Sequence, residues 1–130
     1  MVKSTDDINK LSRIILDAAM YVHSSLGPGL LESAYEHCLY FELHSRGIAC
    51  ERQLELPIMY RGHRIDAGYR IDLLVGDTII VELKTTERIL PVHEAQLLSY
   101  LKLSNKRLGL LINFNAIHLK DGIKRMANEL

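Results

Sequence analysis

The stretch "IDLLVGDTIIVELK", Ile71 to Lys84, limits what this chain can become more than any other. Apolar runs flank Gly76-Asp77, so the segment reads as a buried hairpin of two strands. Asp72, Glu82 and Lys84 do not suit a purely structural hairpin, because a buried charge is costly unless a partner or a metal compensates it. The pattern is an aspartate, nine residues, then Glu-Leu-Lys. Glu82 and Lys84 are two apart in a strand and leave the same face. Two carboxylates brought together repel one another and attract a divalent cation. Oxygen donors favour magnesium or manganese over zinc. A neighbouring ammonium can orient a water or stabilise charge building on a phosphate. The combination suits metal-dependent phosphodiester hydrolysis. The plainer alternative is a surface salt bridge between Glu82 and Lys84, with Asp72 near a strand end.

Loop length decides between them. A two-residue loop, Gly76-Asp77, pairs Val75 with Thr78 and sends Asp72 and Glu82 to opposite faces. A three-residue loop, Gly76 to Thr78, pairs Val75 with Ile79 and sets Asp72 opposite Glu82. A shared metal requires the longer turn or a bulge of equal parity.

The flanking sequence places this hairpin in an α/β chain. Thr5 or Asp6 can cap a first helix with Ile8, Leu11, Ile15, Ala18 and Val22 at helical spacing, and "LGPG" stops it. A second helix follows, with Leu31, Ala34, Cys38 and Phe41 or Glu42 along one side, and Gly47 ends it. Leu54, Leu56, Ile58 and Tyr60 then alternate as an edge strand containing Pro57. Arg61-Gly62 turns the chain into "HRIDAGYRIDLLV", and "TIIVELK" is the third strand. "PVHEAQLLSYLKLS" is helical, "RLGLLINF" is a buried fourth strand, and the tail from Ala116 is expected to add a short extended piece and a terminal helix. The predicted order is α-α-β-β-β-α-β-α, one α/β domain over residues 1–130 with a mixed sheet.

Composition narrows the partners. The 130 residues are 48% hydrophobic and 25% charged, with zero formal net charge. No overall basic field draws in nucleic acid or anionic lipid. A local one is available, because Leu101 to Leu130 holds six basic residues against Asp121 and Glu129. Only Cys38 and Cys50 occur, without CxxC spacing, so buried free thiols are expected rather than a disulfide framework or a zinc site. Charges interrupt the N-terminal apolar positions, which argues against a signal peptide, and no apolar run approaches membrane-spanning length. The expected location is the cytoplasm.

Helical residues can complete the site. Gln96 and Tyr100, four apart, share a face that can aim an amide and a phenol at a phosphate or a water. Glu32 can add a third carboxylate, with Tyr35 and Glu36 as same-side neighbours. His63 and His93 lack ligand partners at fitting spacing and read as surface residues, although His93 lies one turn before Gln96.

"GLLESAY", Gly29 to Tyr35, within "LGPGLLESAYE", resembles the signature of the GxxExxY protein family. "GYRIDLLV", "IIVELK", "PVHEAQLLSYL" and "GLLINF" resemble it in order and spacing, from about Ile14 to Met126. That family is placed in the PD-(D/E)xK nuclease-like superfamily. The resemblance implies a restriction-endonuclease-like mixed sheet with an αβββαβ core, plus an N-terminal helix and a short C-terminal helix. It makes Asp72, Glu82 and Lys84 the catalytic trio. Asp72, Glu82, the Leu83 carbonyl and Glu32, directly or through water, become the ligands of Mg2+ or Mn2+. Gln96, Tyr100 and Tyr35 become substrate-positioning. Ile71 stands where the motif proline would be. The implied function is a metal-dependent nuclease acting on DNA or RNA. The alternative is a catalytically silent module that binds nucleic acid or protein on the same fold. Because a lone neutral domain has little basic surface for a duplex, a homodimer or a partner protein can supply more.

Overall fold

The computed structural model describes residues 3–130. Helix α1, Thr5–Leu26, is capped by Ser4 rather than Thr5 or Asp6, its hydroxyl accepting from the Asp7 N–H at 3.1 Å. Asp6 and Asp7 then lie in the first turn, where the helix dipole favours negative charge. Ile8, Ile15, Ala18, Ala19 and Val22 are buried. The helix stops at Gly27, whose φ of 70° is open to glycine and whose N–H donates to the His23 carbonyl at 2.7 Å.

Helix α2, Glu32–Ser45, buries Tyr35, Glu36, Leu39 and Leu43. Leu31 and Phe41 are 77% and 72% exposed. The stripe through Leu31 and Phe41 expected from spacing is therefore rotated away from the core. This sequence is apolar on several sides, so periodicity leaves the phase open and packing selects it.

Strands β1 (Cys50–Glu55), β4 (Arg70–Val75), β5 (Ile79–Lys84), β6 (Leu108–Asn113) and β7 (Ile123–Ala127) form one sheet in the order β1-β4-β5-β6-β7. Helix α3, Pro91–Ser104, is the crossover that makes β5 and β6 parallel; the other neighbours are antiparallel. The two long strands expected before β5 each break. Pro57, which has no N–H to donate, follows the end of β1, and the second expected strand is interrupted between Ile65 and Arg70. The freed pieces, β2 (Ile58–Tyr60) and β3 (His63–Ile65), form a separate hairpin over Arg61 and Gly62, whose φ values of 50° and 80° fit the expected tight turn. The tail also differs from expectation. In place of a C-terminal helix, Leu119–Gly122 makes one 3-10 turn and the chain continues as β7. Pairing with β7 satisfies backbone groups of β6, which would otherwise be an open edge with every residue buried.

The α1–α2 layer packs on Leu73, Val75, Val81, Leu83 and Leu110, and α3 packs on Ile71, Leu74, Ile80 and Leu111. Helices on both faces explain why β5 and β6 are almost continuously apolar. Both cysteines are free; Cys50 is buried and Cys38 half-buried. Among the described residues no helix is long and apolar enough to cross a membrane.

Helix α3 packs closely over Gly109 of β6, where an added Cβ would sit 2.8 Å from Leu97 Cδ1 and 3.0 Å from its Cγ. Leu97 is 1% exposed and has little room to yield. Gly109→Ala is expected to cost about 1–3 kcal/mol in urea denaturation. Adding Leu97→Ala should cost less in that background than in the wild type, because the deletion also relieves the clash. Strictly additive losses would show that the two residues do not meet as described.

Candidate active site

The β4–β5 turn takes the longer form. Val75 pairs with Ile79, leaving Gly76, Asp77 and Thr78 in the loop. Gly76 and Asp77 have φ of 58° and 53°, and the Thr78 N–H donates to the Val75 carbonyl at 3.0 Å. A tight two-residue turn is thus followed by one extra residue, Thr78, whose hydroxyl donates to the Gly76 carbonyl at 2.7 Å. That residue shifts the parity of β5 and brings Asp72 and Glu82 to the same side of the sheet.

Regular pairing of β4 with β5 ends at Leu73 and Val81. Beyond it, side chains replace the ladder. The Asp72 N–H donates to Glu82 Oε2 at 2.8 Å, and the Leu83 N–H donates to Asp72 Oδ2 at 2.9 Å. Each carboxylate spends one oxygen on the opposite strand's backbone and keeps the other. Asp72 is also outside the ladder on its β1 side. There Gln53, with φ of 52°, interrupts pairing between Arg52 and Leu54. The Gln53 amide donates to Asp72 Oδ1 at 3.3 Å and to Glu36 Oε1, and Arg52 pairs with Glu36 Oε2 at 2.9 Å. A chain of polar contacts therefore runs from α2 through β1 to Asp72. Spacing gives no signal for Gln53 or Arg52, and it gives Glu36 only as a same-side neighbour of Glu32. Glu36, one turn after Glu32, was the only member with a sequence signal; the backbone twist at Gln53 has none.

Burial pushes the Glu82 carboxyl up to about 8, with the Asp72 and Glu32 charges adding to the rise and the Asp72 N–H and Lys84 opposing it. Asp72 is raised, first by burial and also by the Glu36 charge, against the Leu83 N–H and Lys84. Glu32 is raised by burial and by Asp72 and Glu36, while Lys84 lowers it. Tyr100 is pushed up to about 12 by burial and then by the Glu82 charge, with Tyr69 and Asp72 adding. These mutual influences place Glu32, Asp72, Glu82, Lys84 and Tyr100 in one electrostatic neighbourhood. Lys84 is half-buried and makes no ion pair within 4.0 Å among the described residues, so the simple Glu82–Lys84 salt bridge is absent. Its carbonyl accepts from the Phe114 N–H at 2.9 Å. Buried Asn113 grips Thr86 in both directions, at 3.1 and 2.9 Å, and so fixes the chain after β5.

Tyr35 does not join the site. Its ring is fully buried and stacked on Phe114 with centroids 4.6 Å apart. Its hydroxyl donates to the Gly27 carbonyl and accepts from the Leu30 N–H at 3.1 Å. Tyr35 locks the "LGPG" loop onto α2, a structural role that leaves it nothing to offer a substrate. Gln96 is half-buried and Tyr100 is 6% exposed, both on α3. His93 caps α3, with Nδ1 accepting from the Leu90 N–H at 3.0 Å, and His63 is exposed on the small hairpin.

Among the described residues no three His, Cys, Asp or Glu side chains are gathered to hold an ion. The donors that do converge are two carboxylates, each with one oxygen off the opposite strand's backbone, that of Asp72 accepting from the Gln53 amide. Magnesium commonly binds through one or two carboxylates and keeps several waters, so this oxygen-only pair suits it.

A mixed sheet covered by helices on both faces, with an acid pair and a lysine where two strands part, is a restriction-endonuclease-like fold. A profile of the PD-(D/E)XK nuclease superfamily matches residues 9–126, and the chain belongs to that superfamily. No curated protein and no solved structure matches it.

Without metal, the raised carboxyls set a pH dependence. Folded Glu82 holds its proton up to about 8, whereas the unfolded chain releases it near 4.5. The folded state therefore binds more protons across that window, and stability falls as pH rises through it before levelling off above. Glu82→Gln, which keeps an acceptor for the Asp72 N–H, is expected to flatten this fall and to be the more stable chain at pH 8 by a few kcal/mol. Urea denaturation in a chelator at several pH values checks it. Parallel profiles for the two chains would remove Glu82 as the source.

Proposed function

We propose that the protein is a metal-dependent nuclease of the GxxExxY type, hydrolysing phosphodiester bonds of nucleic acid at Asp72, Glu82 and Lys84. The observation that carries this reading is the exchange across β4 and β5. Asp72 and Glu82 replace backbone acceptors where the strands part, each keeps its second oxygen off the opposite strand's backbone, and Lys84 makes no ion pair within 4.0 Å among the described residues. A hairpin built only for stability would complete its ladder with carbonyls.

Asp72, Glu82 and the Leu83 carbonyl would hold Mg2+ or Mn2+, with Glu32 directly or through water. When bound, such an ion supplies Lewis acidity toward a phosphoryl oxygen and lowers the pKa of a bound water. Lys84, without a competing carboxylate partner, orients the attacking water and offsets negative charge growing on the phosphate. Tyr100, whose raised pKa keeps its phenol protonated, donates a hydrogen bond toward the substrate, and Gln96 contacts substrate from the same helix face. Gln53 holds the remaining Asp72 oxygen against rotation. The two free thiols suit a reducing compartment, so we place this single domain in the cytoplasm. Because the chain carries no net charge, a second copy or a partner protein adds surface for longer substrates.

Manganese should raise the melting temperature of the wild type by about 5 °C or more at saturation, because only the folded state presents the acid pair. Asp72→Asn should lose that response. An equal response in both would mean that the ion binds elsewhere.

Lys84→Ala should lower cleavage of DNA or RNA in magnesium by about a hundredfold or more while keeping the manganese response, since lysine acts on water and phosphate rather than on the ion. Gln96→Ala should weaken cleavage less. Activity unchanged in Lys84→Ala would assign it to a contaminant. Binding without cleavage of any substrate would favour the silent module.

A further inference from the structure

The face of α3 that carries Gln96 and Tyr100 continues into an apolar groove that the catalytic reading leaves without an occupant. Its volume is about 590 Å3, and it runs between α3 and the segment carrying the small hairpin. Ile58, Tyr69, Val92, Ala95 and Leu103 make most of its wall apolar, and Tyr100 of its lining is packed in one buried cluster with Ile71 and Ile80. Tyr69 stands edge-on to Tyr100, with ring centroids 5.9 Å apart at 64°, and stays 41% exposed. Gln96 and Lys102 are the longer polar side chains on the rim.

We propose that this groove binds an unpaired nucleobase of single-stranded DNA and delivers the adjoining phosphodiester to Asp72 and Glu82; the proposal rests on the nuclease reading and extends it to a substrate class. Three features select this occupant. Tyr100 lines the groove and packs in one buried cluster with Ile71, next to Asp72, and Ile80, on the same face as Glu82, so a base seated in the groove brings its own backbone toward the acids. Lys102 is the one cation among the residues that line the groove, so few phosphates are neutralised there and stacking on an aromatic ring has to supply the affinity. Lys102 at the rim offers a charge for one phosphate. In a duplex the bases are stacked and paired, and entry would require flipping at a cost of a few kcal/mol. The apolar wall suits deoxyribose and the thymine methyl better than a 2′-hydroxyl, which would be desolvated without a partner.

Anisotropy of labelled oligodeoxythymidine tests this in calcium, which takes the same class of oxygen ligands. It is run beside an abasic strand of equal length, a duplex, and oligouridine, with cleavage measured separately in magnesium. The wild type should bind oligodeoxythymidine about tenfold more tightly than each of the other three, with a shallow dependence on salt. Tyr69→Ala and Val92→Glu should abolish that preference, and Tyr69→Phe should keep it. Tyr69 and Val92 are 41% and 65% exposed, so these changes leave the fold intact, which urea denaturation verifies. Equal affinity for the abasic strand, full preference in Tyr69→Ala, or no binding by the wild type would overturn the groove. Oligouridine bound as tightly as oligodeoxythymidine would overturn the assignment to DNA. Cleavage confined to duplexes would sink the groove and leave the nuclease reading standing. Base-dependent binding with no cleavage of any substrate would do the reverse.

Discussion

Everything distinctive about this protein depends on one exchange of hydrogen bonds. Where β4 and β5 should continue as a ladder, the Asp72 N–H turns to Glu82 and the Leu83 N–H turns to Asp72. Two acids are thereby held in the interior without violating the rule that buried backbone groups are paired. The acids are satisfied by the backbone they unpair. The arrangement has an electrostatic cost, visible in the upward displacement of Asp72, Glu82 and Glu32 together. Such a cluster is tolerated because the two-faced core around it is large and well packed, and a cation would relieve it.

The exchange depends on the turn. Thr78 is one residue beyond a tight Gly-Asp turn, and without it Glu82 would face the α1–α2 core in place of Leu83. The same parity keeps Ile80 against α3 and Val81 and Leu83 against α1 and α2. Core and site therefore share one register, and neither can slip without the other.

Helix α2 links the site to the body of the protein. Its buried side uses Tyr35, Leu39 and Leu43 for packing, while Glu36 reaches Arg52 and Gln53, and through Gln53 reaches Asp72. Tyr35, the final residue of the Gly-x-x-Glu-x-x-Tyr motif, stacks on Phe114 and holds the loop that precedes the helix. The motif thus has two physical parts. The glutamate carries a carboxyl raised by burial and by the Asp72 charge, and the tyrosine sets where the helix begins.

The amino-acid pattern by itself determined the α/β class, the first helix and its glycine stop, the apolar strands β4, β5 and β6, the crossover helix, and the condition of parity that any acid pair must meet. These are local matters of period, turn chemistry and apolar run length, so they survive without tertiary information. Tertiary structure decided the rest. It rotated α2 so that Leu31 and Phe41 face outward, because several apolar stripes competed and only contact with the sheet could choose among them. It made β7 from a tail that reads as helix, because the unpaired edge of β6 outweighs local propensity. It withdrew Tyr35 into the core and recruited Arg52 and Gln53 of β1 with Glu36 of α2, which meet only in the folded chain, where Gln53 takes a φ of 52°. Side-chain satisfaction across elements has no period, and for that reason it can be read only from the folded chain.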